Sequence, residues 1–326
     1  MVPYIDLHCD TLTEGWKCME HDIISLPSAQ VDLNRLKKNG CRAQFFAIYM
    51  VPLTLKTRMG ALFPNDEEHI NRLYRIFQTT LLKNPDSAAF AGKYDDLRRN
   101  TRAGKVSAFL SMEDGRAIDG RLSNLKRFYK LGVRLLTLTW NLPNCLGVPC
   151  SGDVDIMSKG LSKLGKDAVS MMNDLGMIVD VSHLSDGGFW DVEHISKKPF
   201  VASHSGCREI APHPRNLSDQ MLRAIGDKGG VVGISFNPFL LTGDPNNKRS
   251  TCESVFRQMH HVINVAGIDA LSLGSDFDNS KGTIMEISGA QEMPLFFEKM
   301  LEEGFTADQI EKIATKNSLR VIKDTL

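Results

Sequence analysis

The chain has 326 residues, enough for one large barrel or two ordinary domains, and its 42% hydrophobic and 24% charged residues are those of a soluble globular protein. Lysine plus arginine equals aspartate plus glutamate at 39 each, with no local basic run, so no global field draws in nucleic acid or an anionic membrane. A small, mostly uncharged substrate suits this balance better than a polyanion.

In chain order, eight short apolar, β-branched runs predict strands: Tyr4–His8, Arg42–Met50, Val106–Met112, Val133–Thr139, Met177–Ser182, Phe200–Ser203, Gly230–Phe236 and Ala270–Gly274. Between them, helical periodicity marks Asp66–Leu82, Leu122–Leu131, Leu161–Leu175, Gly187–Ile195, Ser218–Gly226 and Cys252–Ala266. Ser218 and Thr306 read as helix starts, Gly176 and Gly267 as helix stops. Alternation of strand and helix implies a parallel sheet. Eight units predict an α/β fold, a (β/α)8 TIM barrel of the metal-dependent hydrolase type, with residues 1–326 as a single catalytic domain. A doubly wound open sheet is the rival, but no Gly-rich phosphate turn follows the first strand. Two irregular segments, Pro143–Asp155 and Asn237–Arg249, fall on the strand-exit side, where barrels build substrate pockets.

The seven cysteines are odd in number and form no Cys-x-x-Cys, which disfavours a disulfide framework and a thiolate zinc site, though a Cys145–Cys150 bridge stays open. Free thiols, and an N-terminus without a basic region and apolar stretch, point to a reducing, cytoplasmic compartment. No apolar run approaches the ~20 residues of a membrane span.

Metal-binding side chains gather at the strand ends. His8 and Asp10 alternate on one strand and so face the same way, with Cys9 turned elsewhere unless it is itself a ligand. Glu113 ends the third run, His183 the fifth and His204 the sixth, while Asp276 follows the eighth with Asp278 as its competitor. Each alone suits an ordinary strand-end residue. Together they put two carboxylates and three imidazoles on one face of a parallel barrel. Imidazole and carboxylate without thiolate suit a catalytic zinc, manganese or iron site, and five ligands exceed what one zinc takes, which points to two ions. A serine nucleophile finds no Gly-x-Ser-x-Gly, and a Cys207/His204 pair has no third member. Downstream, Arg208, His213 and Arg215 share a proline-pinned loop suited to an acidic group, with Arg208 read as surface charge.

These motifs resemble the membrane (renal) dipeptidase family of the amidohydrolase superfamily, nearly end to end: Asp6-Leu-His-Cys-Asp10, Met112-Glu-Asp-Gly115, Leu135-Leu-Thr-Leu-Thr139, Asp180-Val-Ser-His183, Ser203-His-Ser205, Arg215-Asn216, Gly274-Ser-Asp-Phe-Asp278 and Lys316-Asn-Ser-Leu-Arg-Val321. The resemblance implies two Zn2+ per chain, one on His8 and Asp10, the other on His183 and His204, with Glu113 bridging. It implies dipeptide hydrolysis by a metal-bridging hydroxide, Asp276 as proton carrier and holder of the free amino group, and Arg215 as clamp for the terminal carboxylate. Substrates with a D-residue in second position fall within its range, and assembly into a homo-oligomer is compatible with it. Where some relatives have a substrate-contacting His this chain has Trp140, so Trp140 and Asn141 enter as substrate-binding residues, with Asn141 or the metal polarising the carbonyl. Asn237 stands where relatives have a Tyr. These departures leave open an N-acyl amino acid deacylase or lactonase on the same metal site. A non-catalytic barrel is the third alternative.

Overall fold

The computed structural model describes residues 1–51, 65–244, 246–279 and 282–326. Pro245, within the irregular segment Asn237–Arg249, lies outside them. Eight parallel strands close on themselves: β1 (Tyr4–Cys9), β2 (Cys41–Tyr49), β3 (Val106–Glu113), β4 (Val133–Thr137), β5 (Ile178–Asp180), β6 (Val201–Ser205), β7 (Val231–Ile234) and β8 (Leu271–Leu273). The order β2-β1-β8-β7-β6-β5-β4-β3 is joined into a ring by β2 pairing with β3 from Ala43↔Ser107 to Tyr49↔Glu113. Helices surround this ring, so the fold is a TIM barrel.

Strand alternation sorts the side chains. On β3, Val106, Ala108, Leu110 and Met112 join the large apolar cluster under the helices, while Phe109 joins a smaller cluster with Ile5, Leu7, Phe45, Leu135, Ile178, Val201 and Val231 from the other strands. Phe45 and Phe109 stack there with centroids 4.6 Å apart. Period two then turns Ser111 and Glu113 to the same face as Phe109. A layer of apolar residues thus floors the barrel, and the polar ends of the strands stand above it.

The outer helices follow amphipathic logic. In Asp66–Lys83, Asn65 accepts the Glu68 N–H as N-cap, and Asp66, Glu67 and Glu68 complement the positive end of the helix dipole. Ile70, Leu73, Ile76 and Phe77 form its buried stripe, each contributing about 1.5–3 kcal/mol by leaving water. Ser218 caps its helix through the Met221 N–H, Thr306 and Gln309 form a reciprocal capping box, and Gly176 closes a helix at φ 71°. Gly267 also sits at positive φ after Cys252–Ala266. Gly274 has a stricter reason: a Cβ there would lie 1.7 Å from the Ser203 carbonyl oxygen, so β6 and the exit of β8 could not approach.

Several expectations shift. The strands at Val133, Ile178 and Val231 end earlier than their apolar runs, because the chain peels away to build the rim. Helices Thr11–Lys17 and Tyr94–Arg102 were not legible: the first is rich in Thr, Gly and Trp, the second has few apolar residues, and packing rather than propensity holds them. Within the two irregular segments, Pro238–Thr242 is a short helix with proline in its first turn, Val154–Met157 starts another, and Arg249–Ser250 pairs with Ile284–Met285. All seven cysteines are free, so Cys145 and Cys150 are not bridged. No helix among the described residues is long and apolar enough to cross a membrane.

Candidate metal and substrate site

The strand ends bring His8, Asp10, Glu113, His183, His204 and Asp276 together, all buried. Glu113 is central. Its Oε1 lies 3.1 Å from His183 Nε2 and 3.4 Å from His204 Nε2, and its Oε2 lies 3.6 Å from His8 Nε2. His8 Nε2 is 3.8 Å from Asp10 Oδ2 and 4.0 Å from Asp276 Oδ1. Potential ligand atoms of His8, Glu113 and His204 lie within 4.8 Å of one another, as do those of His8, Asp10 and Asp276. Cys9 is not part of this set: its thiol faces the Phe45 carbonyl and Thr11.

The outer nitrogens of two histidines reveal their protonation. Ser203 Oγ donates to Asp180 Oδ2 at 2.6 Å, so toward His204 Nδ1, 2.8 Å away, it can only accept. Asn141 Oδ1 likewise accepts from His183 Nδ1 at 2.9 Å. Both rings therefore carry their proton on Nδ1 and turn a bare Nε2 inward. Those two Nε2 atoms are only 3.1 Å apart. Two lone pairs and a carboxylate oxygen facing each other at this range repel unless a cation lies between them. Both ring nitrogens of His8 are also without a hydrogen-bond partner, as are Asp10 Oδ1 and both Glu113 oxygens, among the described residues. Buried polar atoms left unpaired at this density fit a metal centre rather than a structural network.

The electrostatics agree. Burial, then the charges of His8 and Arg215, push His183 and His204 well below the ordinary histidine range, which is the neutral, ligating form. Burial pushes Glu113 well above the usual carboxylate range and raises Asp276 also, while the His8 charge works in the other direction on both. For His8, burial acts downward but the carboxylates of Glu113, Asp10 and Asp276 outweigh it and carry it up to about 10. Without a metal, protons must neutralise crowded carboxylates. Bound cations would do so instead.

Two further carboxylates, not expected to matter from the sequence, organise the layer beneath. Asp180 accepts from Thr137 Oγ1, Ser203 Oγ, and the Ser182 and Ser203 N–H groups. Asp6 accepts from Ser275 N at 2.8 Å, Ser275 Oγ at 2.6 Å, Gln44 Nε2 and, at 3.4 Å, His8 N. The signal available was their place in Asp-x-His and Asp-x-Ser-His, an acid two or three residues before a ligand. Asp278 is a structural residue here: it accepts from Thr11 Oγ1 at 2.6 Å and Gln30 N at 2.5 Å. His183 and Asp276 both adopt left-handed backbone, at φ 67° and 61°, a cost that sharp exits from their strands impose.

A cavity of ≈ 460 Å³ opens above the cluster, bordered by Trp140, Asn141, His213, Arg215, Asn237 and Asp276. Arg215 is buried, with Nη1 donating to Ser205 Oγ and Nη2 to the His204 carbonyl, each at 2.7 Å. Trp140 stands edge-on to Tyr49 and tilted against His183. Arg208 does not enter the cavity: its fork grips Asp186 at 2.7 and 2.8 Å and fixes the loop that carries Arg215.

A parallel barrel with buried imidazoles and carboxylates converging at its strand exits, under a cavity with one guanidinium and one carboxylate, defines a metal-dependent barrel hydrolase. The membrane dipeptidase (peptidase family M19) model matches residues 1–326, and the chain belongs to that family. It is 32% identical over 298 residues to the dipeptidase tcpJ of Claviceps purpurea, covering 91% of this chain and 69% of that one. Among solved structures it is similar to the dipeptidase AC, a metallopeptidase of family M19 (TM-score 0.89, 26% identity, 99% and 98% of the two chains). It is similar too to a Rhodobacter sphaeroides metallopeptidase liganded with a phosphinate mimic of L-Ala-D-Ala (TM-score 0.86, 27% identity, 100% and 99%).

Proposed function

We propose that this chain, residues 1–326 acting as one catalytic barrel, is a zinc-dependent dipeptidase. The observation that carries the reading is the set of bare nitrogens of His183 and His204 turned onto Glu113, beside His8 and Asp10, beneath a cavity bordered by both Arg215 and Asp276. His8 and Asp10 would hold one ion, His183 and His204 the other, with Glu113 shared. When bound, the pair supplies Lewis acidity and a water acidified enough to attack a peptide carbonyl. The remaining work belongs to the chain. Arg215 binds the terminal carboxylate with the guanidinium hydrogens not spent on Ser205 and His204. Asp276, whose burial favours proton uptake, holds the free amino group and carries a proton to the departing amine. Asn141 orients His183, and Trp140 walls the cavity against water. A free dipeptide presents a cation at one end and an anion at the other, which suits a small cavity with one fixed charge of each sign. The dipeptide mimic bound by the Rhodobacter relative supports including L,D-dipeptides.

Trp140, Phe239 and Leu240 along the same cavity favour one competing substrate class, N-acyl amino acids, whose acyl chain would lie on an apolar wall. The test is to load the protein with zinc, count bound metal, and assay L,L- and L,D-dipeptides, N-acyl amino acids and lactones with and without chelator. Chelator-sensitive dipeptide cleavage with about two ions per chain is expected. Two ions with cleavage only of acyl amino acids would replace the dipeptidase reading, and absence of bound metal would end it.

A further inference from the structure

His213 lies two residues before Arg215, half-buried on the rim of the cavity. Its Nδ1 accepts the backbone N–H of Arg215 at 3.1 Å. An accepting nitrogen carries no proton, so the neutral ring bears its hydrogen on Nε2, at the opposite edge. Burial first, and the Arg215 charge second, lower its pKa and keep it neutral. Among the described residues nothing accepts from Nε2. The ring is also held in place. Asn216 Nδ2 donates to the Ala211 and Leu240 carbonyls, the Arg208 fork grips Asp186, and Pro212 and Pro214 flank His213. A fixed donor without a partner on a cavity wall is preorganised for a ligand oxygen.

Arg215 shows which oxygen needs it. One hydrogen on each Nη is already committed, to Ser205 and to the His204 carbonyl, which leaves the guanidinium three N–H groups at most, while the two oxygens of a carboxylate offer about four acceptor sites. We propose that His213 is a specificity-determining residue whose Nε2–H completes recognition of the substrate's terminal carboxylate beside Arg215. This rests on the dipeptidase reading above.

Two substitutions separate the two edges of the ring. In His213→Asn the side-chain oxygen can still accept the Arg215 N–H, but the Nε2 donor is lost. In His213→Gln an amide N–H reaches the Nε2 position. Using the zinc-loaded full chain, kcat and KM are measured for the best dipeptide and for its C-terminal amide, with metal content as control. The expected result for His213→Asn is a KM for the dipeptide raised about ten- to a hundredfold, the range for a hydrogen bond to a charged group, with kcat little changed. The amide is affected much less, and His213→Gln recovers most of the loss. Unchanged KM in His213→Asn overturns the assignment. So does an equal fall of kcat on dipeptide and amide, which would put the hydrogen bond on the reacting carbonyl. Rescue by Asn rather than Gln would reduce His213 to a support for Arg215. A metal-loaded wild type that cleaves no dipeptide overturns the underlying reading, and this inference with it, before any variant is made.

Discussion

The two sides of the cluster are held rigid by different means. Around His183 and His204 the rings themselves are tied, through Asn141 and through the Ser203–Asp180 pair. Around His8 and Asp10 no side chain among the described residues hydrogen-bonds a ring nitrogen; the backbone is tied instead. Asp6 gathers the His8 and Ser275 N–H groups, the Asp10 N–H donates to the Phe277 carbonyl, and Asp278 anchors Thr11. Tying a ring selects its tautomer as well as its position, whereas tying a backbone selects position alone. The first side should therefore lose metal affinity when an outer partner is removed. The second should lose stability.

Glu113 belongs to both sides, and its loss tests the whole. Glu113→Gln should lower bound metal on both and cut turnover by on the order of 10³-fold or more, beyond the 10–100-fold typical of a ligand's outer partner. Metal analysis alongside turnover checks this; full occupancy with normal rates would remove Glu113 from the centre. Ser203→Ala and Ser275→Ala then set one side against the other. The first should weaken the ion proposed for His183 and His204 about 10–100-fold in a competitive titration. The second leaves Asp6 short of one donor, the Ser275 hydroxyl, while the Ser275 N–H stays, and should cost about 1–3 kcal/mol of folding stability with metal affinity unchanged. Equal loss of metal in both variants would break the comparison.

A smaller effect is expected for Asn141→Ala, about tenfold in affinity at most, because Asn141 is exposed and water can take the place of its oxygen. The last concerns pH. Burial lifts the Asp278 carboxyl from 3.8 to about 6, although Thr11 and Gln30 pull it down. A raised acid favours the fold while protonated. Its contribution is therefore complete below pH ~4 and is lost as pH rises through about 6, on the order of 3 kcal/mol. Unfolding free energies of the wild type and Asp278→Asn across that window should diverge accordingly; parallel curves would show that Asp278 carries no such load.

Much of the site could be read from the chain because strand ends of a parallel barrel share one face. His8, Asp10, Glu113, His183, His204 and Asp276 were selected by residue type at the end of an apolar run, and the structure brings all six together. The supports were harder to see. Asp6 and Asp180 lie inside apolar strands, where a carboxylate looks like an interruption until its serine and threonine donors arrive from neighbouring strands. Arg208 looked like surface charge, because Asp186, its partner, is 22 residues away. Asn141 entered as a substrate contact, and only the fold brings its oxygen to His183.

The sequence by itself determined the alternation of strand and helix, the barrel that follows from it, and the list of side chains able to bind metal. These depend on local periodicity and on residue chemistry, which a chain carries wherever it is. Tertiary structure decided which nitrogen of His183 and of His204 is bare, which carboxylate lies between the histidines, and which donor on the cavity wall remains unspent. Those are properties of pairs brought together by strand register and backbone exit angle, and no single segment contains both members.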